Sequence, residues 1–386
     1  MKKQIFAAAA MITAMGLSAC QAQNETGSVA QTQNEVQTGT DAGHGIFDIP
    51  VELEYAQKFT IAKDGDGCSL LTIDQGDPVV VIPEENSVPE TLPDHAMVLE
   101  QPLDHIYLAS TAAMDFFSSL DAMDSLRLSG AKEDGWYIEA AKEAMRDGSL
   151  IFAGKYNQPD YELLLSEQCR LAIENTMISH TPEVKEQLEK FGVPVLTDHS
   201  SYEKNPLGRT EWVKLYGLLT GHEKEAEEAF AAENEAFASI GEEEETGKTV
   251  AFFYITTNGE VNVRKSADYL PKMIELAGGK YIFDKLGDED DVASTMSMQM
   301  EEFYAGAKDA DYIIYNSTID GELASVDDLI AKSPLLEKFK AVQDGNVYCT
   351  TKNLYQSTME LGTITSDIHG MLTGDESGLT YLYKLN

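Results

Sequence analysis

The chain has 386 residues, enough for two domains with proper cores. Against 28 Lys and Arg stand 66 Asp and Glu, a formal net charge of −38. A field of that sign repels nucleic acid and anionic lipid headgroups, and so argues against a nucleic-acid-binding role.

The first twenty residues form a processing signal. Lys2 and Lys3 give the charged start, and Ile5–Gly16 is an apolar run too short to stay behind as a spanning helix. It ends in Leu17-Ser18-Ala19-Cys20. That ending resembles the bacterial lipoprotein signal, in which the Cys becomes the lipidated first residue of the mature protein; the alternative is an ordinary secretory signal. The resemblance makes Cys20 the lipidation site. Each buried CH₂ of an acyl chain contributes about 0.8 kcal/mol, so several chains anchor firmly. Residues 21–45 carry Gln, Thr, Gly, Asn and Ala with almost nothing apolar, the composition of a flexible tether. Cys68, Cys169 and Cys349 are odd in number and far apart, with no CxxC, so neither a zinc ribbon nor a redox motif is indicated.

Three runs between Glu52 and Ile82 read as strands, LEYAQKFTIAKDG, CSLLTID and PVVVIP. The Asp64-Gly65-Asp66-Gly67 fragment between the first two hints at a calcium loop, but its twelfth position is Gln75, so a hairpin turn is the better reading. From Ile106 the pattern becomes βα. IYLAS is a buried strand, Ser110-Thr111 caps a helix from Ala112 to about Met123, and a further helix follows within 134–151. Trp136 and Tyr137 read equally as core or cleft wall. Pro159 and Glu162 open another helix, a strand begins at Leu171, and PEVKEQLEKFGVPVLTD supplies helix, Gly192 and strand. This punctuation implies a parallel sheet covered by helices.

The stretch Ser200–Ile240 starts at an expected Pro206–Gly208 turn and runs on with few breakers. Apolar residues recur at helical spacing through it, and Gly221 separates a short helix from a long one. A helix over Glu223–Ile240 spans about 27 Å at about 1.5 Å per residue, enough to cross the back of a domain. Beyond it the βα order begins again: TVAFFYIT, an Asn258-Gly259 turn and VNVRK, then three helix-and-strand pairs, and a last helix around 357–372. Three segments before the long helix parallel three after it in the same order: Met123–Lys132 with Met273–Ile282, Pro159–Asn175 with Gln299–Asn316, and Pro182–Leu196 with Ser333–Cys349. Helix, Gly and strand fall at similar offsets in each pair. The expected fold class is α/β, two Rossmann-like lobes with parallel-rich central sheets joined by one long α-helix. The expected division is 46–205 for the N-terminal lobe, 206–241 for the connecting helices and 242–386 for the C-terminal lobe. Facing lobes make a cleft, where ligands usually bind.

Lipobox, tether, paired lobes and connecting helix together resemble the helical-backbone (class III) substrate-binding proteins of ABC importers. The branch for iron–siderophore, haem and cobalamin uptake is the nearer likeness. Its marks here are Glu162 in PDYELLL, Ser201-Tyr202 ahead of Pro206-Leu207-Gly208-Arg209, MIELAGG at Met273–Gly279 and MEEFYAGAKDADYII at Met300–Ile314. The resemblance implies an extracytoplasmic, lipid-anchored, monomeric receptor that is not an enzyme and holds no cofactor of its own. It implies capture of an iron(III)–siderophore-type chelate, with haem or cobalamin as alternatives, and delivery to permease subunits. In that family one glutamate per lobe docks on permease arginines, which carries over to Glu162 and Glu301, with Glu302 as the register alternative. Expected ligand contacts are Trp136, Tyr137, Lys155, Tyr156, Tyr202 and Arg209, with Arg264 and Lys265 from the second lobe; cationic and aromatic walls suit an anionic chelate with flat faces.

Two rivals are weaker. A free zinc or manganese site needs several His with carboxylates, and the seven His show no i, i+4 pairing. A metallocluster enzyme needs cluster cysteines, whose spacing is wrong here, and no GxSxG, P-loop or HExxH occurs.

Overall fold

The computed structural model describes residues 46–74, 76–240, 245–288 and 293–386. The processing signal, Cys20, the tether and Gln75 lie outside them.

The first strands form a sheet of their own, ordered β1 (Ile49–Val51), β2 (Phe59–Lys63), β3 (Ser69–Ile73), β4 (Val79–Ile82) and β5 (Met97–Glu100). It is antiparallel except for the parallel β4–β5 pair. The β2–β3 connection is the expected hairpin: Asp64 Oδ1 accepts the backbone N–H groups of Asp66 at 2.9 Å and Cys68 at 2.8 Å.

The next sheet is all parallel, in the order β12-β11-β6-β7-β8. Its strands are β6 (Ile106–Leu108), β7 (Leu126–Ser129), β8 (Ile151–Phe152), β11 (Leu171–Asn175) and β12 (Val195–Asp198); β9 (Gly154–Lys155) and β10 (Gln158–Pro159) make a small hairpin beside it. Helices α1 (Met114–Ser119), α2 (Glu139–Asp147), α3 (Tyr161–Ser166) and α4 (Pro182–Lys190) alternate with these strands. The expected helix from Ala112 to Met123 is shorter than its apolar run, because 3₁₀ turns at Thr111–Ala113 and Met123–Ser125 take both ends.

Helices α5 (Pro206–Glu211), α6 (Val213–Thr220) and α7 (Glu223–Ile240) follow. The expected turn at Pro206 is instead the first turn of α5. Proline fits there because its missing N–H is unpaired in any helix start, and the Asn205 side chain caps Leu207 N–H. Gly221, at φ +77°, ends α6 in the left-handed conformation that glycine takes without strain. Ala226, Phe230, Glu233, Phe237 and Ile240 form the buried stripe of α7, spaced four and three residues apart.

The last sheet runs β16-β14-β13-β17-β18-β19, with β15 beside the start of β13. Its strands are β13 (Thr249–Ile255), β14 (Val261–Arg264), β15 (Lys280–Tyr281), β16 (Thr295–Met298), β17 (Tyr312–Tyr315), β18 (Val347–Thr350) and β19 (Leu382–Lys384). Its helices are α8 (Tyr269–Leu276), α9 (Met300–Ala307), α10 (Ser317–Asp320), α11 (Val326–Lys332), α12 (Lys340–Gln343) and α13 (Leu361–Thr373). Strands β17 and β18 are almost wholly buried and apolar, as strands covered on both faces must be.

The internal repeat is visible in the sheets. Parallel neighbours β12-β11-β6-β7 in one lobe match β18-β17-β13-β15 in the other, and the three paired segments supply corresponding strands. One hydrophobic cluster runs from Phe59 and Leu71 in the first sheet, through Phe116, Trp212 and Phe230, to Met273 and Leu372 in the last lobe. Helix α7 packs on both α6 and α13. Gly362 makes the second contact close, since a Cβ there would lie 2.7 Å from the Ala236 Cβ. Polar ties reinforce this seam. Gln356 accepts Tyr137 N–H and donates to Gly135 O, both at 2.8 Å; Thr358 Oγ1 donates to Ala112 O at 2.9 Å; Glu233 Oε2 accepts Gly362 N–H at 3.0 Å.

Candidate ligand cleft

A cavity of about 770 Å³ opens at the carboxyl ends of β11 and β12, where ligands of open α/β sheets usually bind. Its first wall is two 3₁₀ turns, Thr176–His180 and Ser200–Tyr202. Both are set by buried polar groups. Asn175 accepts Met177 N–H at 2.9 Å and so holds the first turn. Asp198, buried at the end of β12, accepts Ser200 N–H at 2.6 Å, Ser110 Oγ at 3.1 Å and the Tyr216 hydroxyl at 2.8 Å. Ser110 therefore anchors Asp198 rather than capping a helix, as its position had suggested. Burial pushes the Tyr216 phenol well up, with the Asp198 carboxylate adding to the shift, so it stays a donor.

On this wall Tyr202 is 38% exposed, and its hydroxyl accepts from Thr176 Oγ1 at 3.2 Å. His199 lies beside it, with ring centroids 6.2 Å apart. Lys185, His180 and Lys204 complete the wall. The opposite wall comes from the last lobe through Lys265, Ala267, Asp268, Ala293 and Ser294. Asp268 opens α8 by accepting Leu270 N–H at 3.1 Å, and Arg264 Nη1 lies 3.4 Å from its other oxygen. Lys58 and Asp74 reach the cavity from the first sheet. Four lysines and two histidines thus face three carboxylates, Asp74, Glu203 and Asp268, in a protein whose overall charge is −38.

Of the residues expected to touch ligand, Tyr202 and Lys265 line this cavity. Arg209 and Arg264 lie behind it and share one ring: their guanidinium carbons sit 4.0 Å and 6.0 Å from the Tyr269 centroid. Arg209 is 5% exposed and donates to Ser201 O at 3.2 Å; its Nε has no partner among the described residues. Arg264 also bonds the Tyr355 hydroxyl. Trp136 does not line this cavity: it is 1% exposed in the core, with its indole N–H on Ser129 Oγ at 3.1 Å. Tyr137 is exposed, but at a separate surface depression with Lys132 and Arg146. Lys155 is exposed on β9, and Tyr156 packs against the outer core of the first lobe, so neither reaches the cleft. Lys58, Asp74, His180 and His199 also line the cavity and are not among the expected contacts. The two histidines follow strand ends, a signal that was available; Lys58 and Asp74 carry none.

Glu162 and Glu301 are exposed and stand in the first turns of α3 and α9, as does Glu302. Among the described residues no group of three or more His, Cys, Asp or Glu side chains is placed to hold a metal ion, and no helix is long and apolar enough to cross a membrane.

Two lobes of matching strand order, a connecting helix and a cleft at the strand ends define the fold of the class III substrate-binding proteins. The chain belongs to the periplasmic binding protein family, whose sequence model matches residues 127–354. It is 25% identical over 324 residues to an uncharacterized lipoprotein of Methanocaldococcus jannaschii, covering 80% of this chain and 72% of that one. Solved structures share the fold. The periplasmic haem-binding protein HutB of Vibrio cholerae aligns with a TM-score of 0.55 at 17% identity, over 68% of this chain and 98% of its own. An ABC-type Fe³⁺-hydroxamate transport protein of Saccharomonospora viridis aligns at 0.54 and 18%, over 70% and 93%. A Haemophilus influenzae protein bound to molybdate aligns at 0.54 and 12%, over 71% and 88%.

Proposed function

We propose that this chain captures an anionic iron(III)–siderophore-type chelate between its lobes and passes it to the permease of an ABC importer. The observation that carries this reading is the cleft itself, about 770 Å³ and ringed by Lys58, Lys185, Lys204 and Lys265. A cavity of that size suits a ligand as large as a drug molecule, in the range of about 300–1,000 Å³, and leaves a bare cation or a small oxyanion mostly unwrapped. Lysines in an acidic protein favour an anionic solute over corrinoids, whose peripheral groups are neutral amides. Haem, with its carboxylates, is the second reading on the same grounds. The lobe boundaries at 205 and 241, monomeric state, lipid attachment at Cys20 and extracytoplasmic surface location belong to this proposal, as does docking through Glu162 and Glu301.

The test is thermal unfolding with ferric hydroxamate and catecholate siderophores, haemin, cyanocobalamin, molybdate, Zn²⁺ and Mn²⁺. A bound solute at 100 times its Kd adds about 2.7 kcal/mol, so the right compound raises Tm clearly. The expected responder is a ferric chelate. A response confined to Zn²⁺ and Mn²⁺, or to molybdate, sinks the chelate reading.

A further inference from the structure

The first sheet, Ile49–Glu100, precedes the residues that the family model matches, 127–354. It is nevertheless built into the site. Two buried carboxylates, Glu203 just ahead of α5 and Glu211 at its last residue, hold the loop 54–58 that joins β1 to β2. Glu211, 0% exposed, accepts the N–H groups of Glu54 at 2.9 Å and of Tyr55 and Ala56 at 2.8 Å. Glu203, 3% exposed, accepts those of Gln57 at 2.9 Å and Lys58 at 2.8 Å, and the Trp212 indole N–H at 3.1 Å. The rings of Phe59 and Trp212 pack edge to face at 5.0 Å. Charge-assisted bonds of this kind are among the stronger ones in proteins, so the backbone of Lys58 is fixed relative to the cleft floor.

That fixed backbone delivers a cation to the rim. Lys58 Nζ lies 3.4 Å from Asp74 Oδ1, and Asp74 N–H closes back on Lys58 O at 2.7 Å. The other Asp74 oxygen lies 2.6 Å from His199 Nδ1, on the wall of the first lobe. Asp74 therefore joins the sheet to the lobe through side chains, and Lys58, His199 and Asp74 all face the cavity. At about one-third exposure the Lys58–Asp74 pair adds little to stability. Its effect is positional: Asp74 occupies one of three ammonium donors and leaves the others to the cavity.

We propose that the N-terminal sheet is a third wall of the solute cleft and that its Lys58, oriented by Asp74, contacts an anionic group of the solute. This rests on the reading that the cavity is the solute site. The probe that tests it is pyridoxal 5′-phosphate, whose phosphate seeks cationic clefts and whose aldehyde forms an imine with a nearby amine, trapped by borohydride and mapped by peptide mass spectrometry. Four lysines against three carboxylates leave the cleft positive in an acidic protein, and a cleft that concentrates anions does so by about tenfold or more, so Lys58 should be labelled at least about tenfold faster than Lys190 and Lys224. Those two are 67% and 80% exposed against 33% for Lys58, so exposure alone predicts the opposite order. Excess inorganic pyrophosphate should slow the Lys58 adduct and leave theirs unchanged. Labelling of Lys185 or Lys265 with Lys58 untouched keeps the two-lobed cleft and overturns the third wall. Labelling that follows exposure throughout, with no cleft lysine preferred, overturns both.

Discussion

Arg209 on α5 stacks its guanidinium 4.0 Å from the ring centroid of Tyr269, the first residue of α8. A connecting helix and a helix of the last lobe thus meet through one buried cation–π contact at the back of the cleft. A desolvated contact of this kind contributes about 2 kcal/mol. Arg209→Ala should therefore lower the unfolding free energy by about 2 kcal/mol or more, read as a shifted urea midpoint with unchanged slope. Arg209→Lys should recover less than half, because an ammonium has no planar face to lay on the ring. Full recovery by Lys would mean that charge alone matters there.

The lobes are also pinned by Gln356, whose amide bonds both Tyr137 N–H and Gly135 O. Gln356→Ala removes both bonds and leaves two backbone groups dependent on water. The expected cost is about 1–3 kcal/mol. Hydrogen exchange at Tyr137 should speed up while exchange in β13 stays unchanged, since the opening is local to the seam. Equal acceleration in both would mean that the seam opens only with the whole fold.

Stability should fall as pH rises through neutrality. Burial raises several carboxyls, three of them furthest: Asp115 to about 6, Glu233 to about 7 and Glu174 to about 8. Neither oxygen of Glu174 has a hydrogen-bond partner among the described residues. Unfolded, all three lose their protons near pH 4, so between there and pH 8 the folded chain binds more protons than the unfolded one. Their contribution is complete below about pH 4 and is lost progressively above it, the loss ending for each group as the pH passes its folded value of about 6, 7 or 8. Calorimetry should give a higher Tm at pH 5 than at pH 8, and Glu174→Gln should flatten that slope. An unchanged slope in this variant would place the effect elsewhere.

Some of this architecture was legible in the chain, for reasons that its residues make plain. Ala226, Phe230 and Phe237 mark the buried face of α7 at helical spacing, and helix–glycine–strand offsets expose the repeat that β12-β11-β6-β7 and β18-β17-β13-β15 then display. Glu233 lies on the same stripe and could not be read as buried, because what admits it is the N–H of Gly362, 129 residues away. Glu203 and Glu211 were hidden likewise among 66 acidic residues. A carboxylate that holds a distant loop by its amides leaves no local pattern. Trp136 and Tyr137 part because neighbouring side chains in extended backbone point oppositely, one inward and one to solvent. Lys58 and His199 meet at Asp74 only through the docking of the first sheet, which no periodicity announces.

That docking has its own test. Glu211→Ala leaves three backbone N–H groups without their acceptor and takes from Lys214 one of its two carboxylates, Glu227 remaining at 3.3 Å. Breaking a buried charged network of this kind costs about 3–5 kcal/mol. Limited proteolysis should then cut first within 54–58, before any site in the last lobe. Initial cleavage elsewhere, at normal stability, would show that the hydrophobic face of the sheet suffices to hold it.

The proposed handover to a permease turns on two exposed acids. Glu162 and Glu301 each occupy a helix first turn, where the N-terminal end of the helix dipole favours a carboxylate by up to about 1 kcal/mol. Their replacement therefore costs the fold little, which makes them clean probes. An arginine partner can grip such a carboxylate through two parallel bonds, so its loss removes attraction and register together. The double variant Glu162→Ala, Glu301→Ala should keep its Tm within a few degrees and its solute affinity unchanged, yet lose uptake in cells. Glu302→Ala serves as the neighbour control and should transport normally. Loss of uptake with Glu302→Ala alone would shift the docking position by one residue. Loss of solute affinity in the double variant would instead tie these acids to the cleft, although both stand outside the cavity lining.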